Sequence, residues 1–275
     1  MSMLNEFFKD QLWLGVAQAA VTVVLAVAVT LVGRWWKIHL EKEVGIALVR
    51  GIVQIVIVAL VLVVLLKGPE LVAVPVLIGM IITASVIAGR RVKGIAGSIW
   101  VSFYGIGFGA GLVILLMVLV GVIDAALTSV IPVGSMLIAN SMNTCAQALE
   151  RFASDLRSHT GQVEAGLALG AAPDECVKPY TQSAVHSSLI PRIDQLSSLG
   201  IVWIPGLMSG MLVAGADPVY AAVYQFAVIT MMFASSGLTS VVSVLLVQRR
   251  VFSPAQQLLL RPGNSVPSVK KGRAA

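Results

Sequence analysis

Apolar residues in this chain run in stretches of roughly 20, and polar residues gather in short clusters between them. At 1.5 Å per residue, about 20 apolar residues make a helix that crosses the ~30 Å hydrocarbon layer of a bilayer. Seven helical spans are predicted, at 12–33, 44–66, 70–89, 96–123, 128–149, 196–215 and 218–247. Punctuation bounds them. Lys67-Gly68-Pro69 separates the second from the third, Arg90-Arg91-Val92-Lys93 follows the third, and Asp217-Pro218 opens the last. The joins at 123–128 and 215–218 are short enough for hairpins. The expected fold is an all-α, polytopic transmembrane helical bundle. It forms a single membrane domain over 1–247, with a polar insertion at 150–195 and a basic tail at 248–275.

Composition agrees with that pattern. The 275 residues are 57% hydrophobic and 12% charged, with a net charge of +6, whereas soluble domains average about 25% charged residues. No basic run is interleaved with aromatics, so the charge speaks for membrane topology and against nucleic acid as a partner. Sixteen of the 19 Lys and Arg residues fall in four segments. These are 34–43 (Arg34, Lys37, Lys42), 90–94 (Arg90, Arg91, Lys93), 150–195 (Arg151, Arg157, Lys178, Arg192) and the tail from Arg249. Only Lys9 and Lys67 lie on the intervening side, and Arg50 sits within a span. The expected orientation has the N-terminus outside and the C-terminus in the cytoplasm. The leader (Glu6, Lys9, Asp10) is net negative and the first apolar run exceeds a signal h-region, so that run is expected to remain as a span. Cys145 and Cys176 form no C-x-x-C and indicate neither a disulfide framework nor a zinc site.

The insertion has a readable local plan. Residues Ser154 to Leu169 contain few helix breakers, Gly170 suits a C′ position, and Pro173 suits the first turn of a new helix. Asp174 and Glu175 follow at its positive end. Two helices with a sharp bend over 170–173 are predicted. There is no G-x-x-x-x-G-K-[ST] loop, no H-E-x-x-H and no nucleophile–base constellation, and His39, His159 and His186 all fall outside the spans. The chain is therefore not expected to be an enzyme or to bind a cofactor itself.

Polar positions inside the spans carry two readings each. Arg50 and Gln54 lie one turn apart on one face. An Arg near a helix centre costs about 2.5–3.5 kcal/mol on insertion scales, so Arg50 either snorkels to the interface or lines and gates a path. Asn140, Asn143, Thr144 and Gln147 form one hydrophilic stripe, which serves interhelical hydrogen bonding or a pathway. Gly105, Gly107, Gly109 and Gly111, and again Gly206, Gly210 and Ala214, give small-residue ridges suited to close helix packing. Ile131-Pro132 and Ile204-Pro205 open similar stretches and weakly suggest an inverted repeat. The methionines Met136, Met142, Met208, Met211, Met231 and Met232 are gap fillers or soft thioether ligands, and no metal-ligand set is assigned.

Glu164-Ala165-Gly166-Leu167-Ala168-Leu169-Gly170 resembles the E-A-A-x-x-x-G loop of ABC-transporter permease subunits, where a helix–bend–helix docks in a groove of a separate ATPase. Four further stretches occur in order with it: Arg50-x-x-x-Gln54, Ile131-Pro132-Val133-Gly134-Ser135-Met136, Ile204-Pro205-Gly206-Leu207-Met208-Ser209-Gly210 and Ala214-Gly215-Ala216-Asp217-Pro218. Together, over about 44–247, they are similar to the FetB-type permease family, which includes bacterial iron-export permeases and plant aluminium-tolerance proteins. Gly166 stands where Ala or Thr is more usual.

The resemblance implies a half-transporter in a bacterial inner membrane, working as a permease homodimer with an ATP-binding ABC subunit that carries ATP and Mg. It implies coupling through Glu164, Ala165, Gly166, Leu169, Gly170, Ala171 and Pro173. Arg50, Gln54, Asn140, Asn143, Met136 and Met208 are the candidates for the path or gate. The implied cargo is an exported metal ion such as iron, with a nucleotide sugar or another small solute as the alternative. A stand-alone channel or proton-coupled carrier is the rival class, disfavoured because no acidic residue lies well inside a span.

Overall fold

The structure, a computed structural model, describes residues 11–35, 41–65, 69, 72–92, 94–95, 97–253 and 256–260. The polar leader, the Lys67-Gly68 punctuation and the basic tail beyond 260 lie outside the described residues. Among the described residues there are nine helices, and only isolated bridges at Leu199–Trp203 and Phe252–Leu258. The all-α class holds. Two compact units divide the chain, Met1–Gly68 and Pro69–Ala275.

The first unit is a helical pair, α1 (Gln11–Trp35) and α2 (Glu41–Leu65), of 25 residues each. Each is about 37 Å long, enough to span a bilayer. Their apolar side chains are exposed all round, among them Val21 and Leu25 on α1 and Ile46 and Ile55 on α2. Such a surface is stable only against lipid or other apolar partners. Arg34 Nε approaches Glu41 Oε1 at 3.7 Å across the join, too exposed to contribute much.

The second unit contains α3 (Ala73–Arg91), α4 (Ser98–Leu119), α5 (Leu127–Ser158), α6 (Thr160–Ala168), α7 (Pro173–Ser197), α8 (Gly206–Val213) and α9 (Pro218–Gln248). Helices α5 and α9 form its centre. α9 packs on α4, α5, α7 and α8, while α5 packs on α3, α4 and α7. The core between them includes the fully buried Ile106, Leu137, Leu149, Phe152, Val228 and Val244. Asp217 caps α9 by accepting from the amides of Val219 and Tyr220, and Pro218 fills its first turn, as the sequence predicts.

Glycine sets how closely some of these helices approach. A Cβ on Gly109 of α4 would lie 2.6 Å from the Thr239 nitrogen and 2.8 Å from the Ser235 carbonyl oxygen of α9, and one on Gly105 would collide with the Ser243 side chain. Those two glycines are the packing ridge. Gly107 and Gly111 are not part of it, since Gly107 reaches only Ile81 and Gly111 has open space. The second predicted ridge, Gly206 and Gly210, likewise meets nothing within 4 Å.

Among the described residues, five helices are long and apolar enough to cross a membrane: Gly15–Trp35, Glu41–Val61, Ala73–Arg91, Ser98–Leu119 and Pro218–Gln248. The predicted span at 128–149 lies within α5, which continues to Ser158 because nothing after Glu150 breaks it. The predicted span at 196–215 is not a single helix. α7 ends at Ser197, Gly200 adopts φ +79°, Pro205 cannot donate, and α8 has only eight residues, about 12 Å. The two Ile-Pro stretches also differ in structure. Pro132 lies inside α5, whereas Pro205 precedes α8.

Basic segments of this unit meet at one end. A Cβ on Gly94 would lie 2.8 Å from Arg157 Nη2, and one on Gly97 would collide with the Arg250 guanidinium. The α3–α4 turn, the end of α5 and the end of α9 therefore share that end with Arg90, Arg91, Arg157, Arg249 and Arg250.

Candidate functional site

At that same end, α6 and α7 form a stiff hairpin around Gly170. Gly170 has φ +86°, a region that glycine enters without penalty. Its amide donates to the Leu167 carbonyl at 3.0 Å, and the Ala171 amide donates to the Gly166 carbonyl at 3.0 Å. This pair of bonds is a Schellman stop, which satisfies the last carbonyls of α6. Ala172 is extended and Pro173 opens α7, with Asp174 and Glu175 in its first turn. The hairpin is closed from within. Tyr180 Oη donates to Gln162 Oε1 at 3.1 Å, the His159 and Tyr180 rings stack at 5.1 Å, and a Cβ on Gly166 would lie 2.9 Å from Cys176 Sγ. Glu164, Ala165, Leu169, Gly170 and Ala171 all face outward. Leu169, an apolar side chain at the tip, is 90% exposed.

Helix α7 was read from the sequence only as the second half of a polar insertion, and its packing was missed. It lies along both central helices. Thr181 Oγ1 donates to Gln248 Oε1 at 3.1 Å and Ser188 Oγ pairs with Ser240 Oγ at 2.8 Å, so α7 runs antiparallel to α9. Ser183 Oγ donates to Asp155 Oδ2 at 3.1 Å, and that same oxygen accepts from Arg151 Nε at 3.1 Å. Ser240 lies eight residues, about 12 Å, inside the end of α9, so α7 reaches well into the bundle. The buried positions Val177, Ala184, Ser188 and Arg192 recur at helical spacing. That spacing was the available signal. Between α5 and α7 opens a groove of about 470 Å³ lined by Gln147, Glu150, Arg151, Ser154, Ser187, Ser188 and Pro191.

The polar stripe of α5 divides. Thr144 turns into the core and donates to the Asn140 carbonyl at 3.0 Å, while Asn140 Nδ2 donates to the Met136 carbonyl at 2.7 Å. Asn140 and Asn143 are half-buried and Met136 and Gln147 exposed, so these four share one uncovered face of α5 that runs into the groove. An uncovered polar face of this kind requires water or protein beside it, not hydrocarbon. Met208 lies elsewhere, on α8, where its amide donates to the buried Gln225 Oε1 at 3.1 Å. Arg50 and Gln54 belong to the first unit, where with Gly45, Ile46, Val49 and Val53 they line an open hollow of about 670 Å³ on α2. Among the described residues no three His, Cys, Asp or Glu side chains group so as to hold a metal ion.

Comparison with known proteins adds a lineage to this geometry. Residues 16–252 match the profile of the uncharacterised protein family UPF0014. The chain is 29% identical over 242 residues to the "Probable iron export permease protein FetB" of Escherichia coli, covering 88% of this chain and 93% of that protein. It is 30% identical over 247 residues to the "UPF0014 membrane protein YjkA" of Bacillus subtilis, covering 87% and 96%. It is 27% identical over 263 residues to the "Protein ALUMINUM SENSITIVE 3" of Arabidopsis thaliana, covering 92% and 95%. No solved structure matches the chain significantly.

Proposed function

This chain belongs to the UPF0014 family, and we propose that it is a permease with no reaction of its own, the membrane subunit of an ABC transporter. Its energy comes from ATP hydrolysed with Mg on a separate subunit. The observation that carries the reading is the α6–α7 hairpin. A helix stopped by a hydrogen-bonded Gly170 corner presents an apolar tip at Leu169, at the end of the unit where its basic segments gather. A rigid corner of this form transmits a push along α7 to both central helices. Glu164, Ala165, Gly166, Leu169, Gly170, Ala171 and Pro173 are the docking and coupling residues.

The cargo in this reading is a metal ion such as iron, moved outward, as the name of the Escherichia coli relative suggests by descent. Asn140, Asn143 and Met136 on the uncovered face of α5 contribute to the path. Arg50, Gln54 and Met208 act at the path or its gate. Two copies cover each other's polar faces, with the basic end toward the cytoplasm of a bacterial inner membrane.

The test is co-purification followed by reconstitution. The full chain is expected to bring down a P-loop ATPase encoded beside it, and iron salts are expected to stimulate ATP hydrolysis by the pair. Gly170→Pro is expected to abolish association. Association and stimulated hydrolysis left intact by that change would overturn the coupling assignment, and a purified chain that conducts alone would overturn the transporter class.

A further inference from the structure

Arginines from three helices of the second unit converge on the turn between α3 and α4. Gly89, near the end of α3, packs so closely on α4 that a Cβ there would lie 2.6 Å from the Ile99 Cα. Ser98 Oγ donates to the Gly89 carbonyl at 2.8 Å. Arg90 and Arg91 therefore close α3 beside the first turn of α4. The Arg250 guanidinium, from the end of α9, lies against Gly97 of the same turn, and Arg157 Nη2, from the end of α5, lies against Gly94. Arg90, Arg91, Arg249 and Arg250 are exposed and make no ion pair among the described residues. Like charges gathered in this way repel one another, and an anion among them lowers their energy.

The depth of the turn in a bilayer follows from the α4–α9 contact. Gly105 meets Ser243 and Gly109 meets Thr239, so the two helices are antiparallel and both contacts give one register. By that register Tyr104 is level with Val244, about 20 residues along α9 from Tyr224, or about 30 Å. That distance is the thickness of a hydrocarbon layer. Aromatic side chains mark both levels. The exposed rings of Trp100 and Tyr104 lie 6.4 Å apart at one, and the exposed Tyr220 stacks on Tyr224 at 6.2 Å at the other. Trp and Tyr concentrate at the two bilayer–water interfaces. Arg249 and Arg250 follow Val244 by five and six residues, about 8 Å further out, which is the depth of the lipid headgroups.

We propose that this turn binds an acidic phospholipid of the leaflet on its side of the membrane. The headgroup phosphate lies among Arg90, Arg91 and Arg250, whose guanidinium groups offer forked donors. The acyl chains run along the exposed face of α4 at Trp100, Tyr104 and Phe108. A zwitterionic lipid presents the same phosphate but brings its own cation to a cluster that is already positive, so a net negative headgroup is preferred. An acidic protein surface would satisfy the arginines, but it would leave the aromatic rings one turn below them without acyl chains. The site depends on neither the cargo nor the ATPase.

Native mass spectrometry of the full chain, released from detergent micelles with added phosphatidylglycerol or phosphatidylcholine, tests this. Phosphatidylglycerol is expected to be retained about tenfold more tightly or better. Arg250→Gln and Arg90→Gln are each expected to weaken its retention about fivefold, with most of it restored in Arg250→Lys. Lys178→Gln, which removes a charge from the exposed side of α7, is expected to leave retention unchanged. Equal retention of the two lipids overturns the site. An equal loss in Lys178→Gln also overturns it, because net charge alone would then attract the lipid. Displacement of the lipid by inorganic phosphate replaces it with a free anion as the ligand. Unchanged lipid retention in arginine variants that no longer bring down an ATPase assigns the cluster to a protein partner instead.

Discussion

Helix α9 meets α4 on one side and α7 on another, and the two contacts are made of opposite materials. Against α4 the backbones nearly touch, because Gly105 and Gly109 present no side chain to Ser243, Thr239 and Ser235. Against α7 the contact is hydroxyl on hydroxyl, at Ser188–Ser240, with Arg192 Nε and Ser236 Oγ each buried without a hydrogen bond one turn further along. Where lipid replaces water, close van der Waals packing is a principal source of helix association, and polar contacts add little each. The α4 side therefore serves as a fixed frame. The α7 side can exchange one set of hydrogen bonds for another at small cost, which is what the proposed coupling role asks of it.

The largest test of that contrast is Gly109→Leu. A side chain there has no space 2.6 Å from the Thr239 nitrogen, so folded protein is expected to be lost, measured as monodisperse yield in detergent. Gly109→Ala is expected to cost about 1–3 kcal/mol by overpacking, read from thermal unfolding. If either variant matched wild type, α4 would not be the fixed side. Next comes the corner that steers α7. Gly170→Val is expected to cost roughly 1–2 kcal/mol for a branched residue held at positive φ, and the loss should appear as faster proteolysis between α6 and α7. The α7 contact itself is weaker. A double-mutant cycle on Ser188→Ala and Ser240→Ala is expected to give a coupling of about 0.6–1.7 kcal/mol, and a value near that of Gly109→Ala at its upper end would erase the distinction. The smallest effect belongs to Gly111→Ala, which has open space and is expected to stabilise α4 by about 0.5–1 kcal/mol.

Legibility in the sequence followed the same division. Helices α1 to α4 and α9 could be read because long apolar runs have one common use, crossing a bilayer. Asp217, Pro218, Gly170 and Pro173 could be read because capping and turn chemistry is decided within a few residues. The far end of α5 was hidden, since Glu150, Arg151 and Asp155 look like the close of a span although the helix continues through them. α7 was hidden more deeply. Its polar composition reads as an exposed insertion, and only its contacts with Asp155, Ser240 and Gln248 reveal a bundle member. The stripe on α5 was visible as a pattern, but the inward turn of Thr144 depends on helix register, which single-chain periodicity does not carry.

One small feature of the hairpin has an experimental use. The chain has two cysteines, Cys145 buried beneath Ser102 and Ser243, and Cys176 half-buried against Gly166. The wild-type sequence thus carries its own reporter. Cys176 is the thiol a bulky maleimide would reach first, and its rate of modification measures how often α6 lifts away from α7. Followed with and without the proposed ATPase partner and nucleotide, that labelling rate would show in an unmutated protein whether the hairpin moves as the proposed coupling requires.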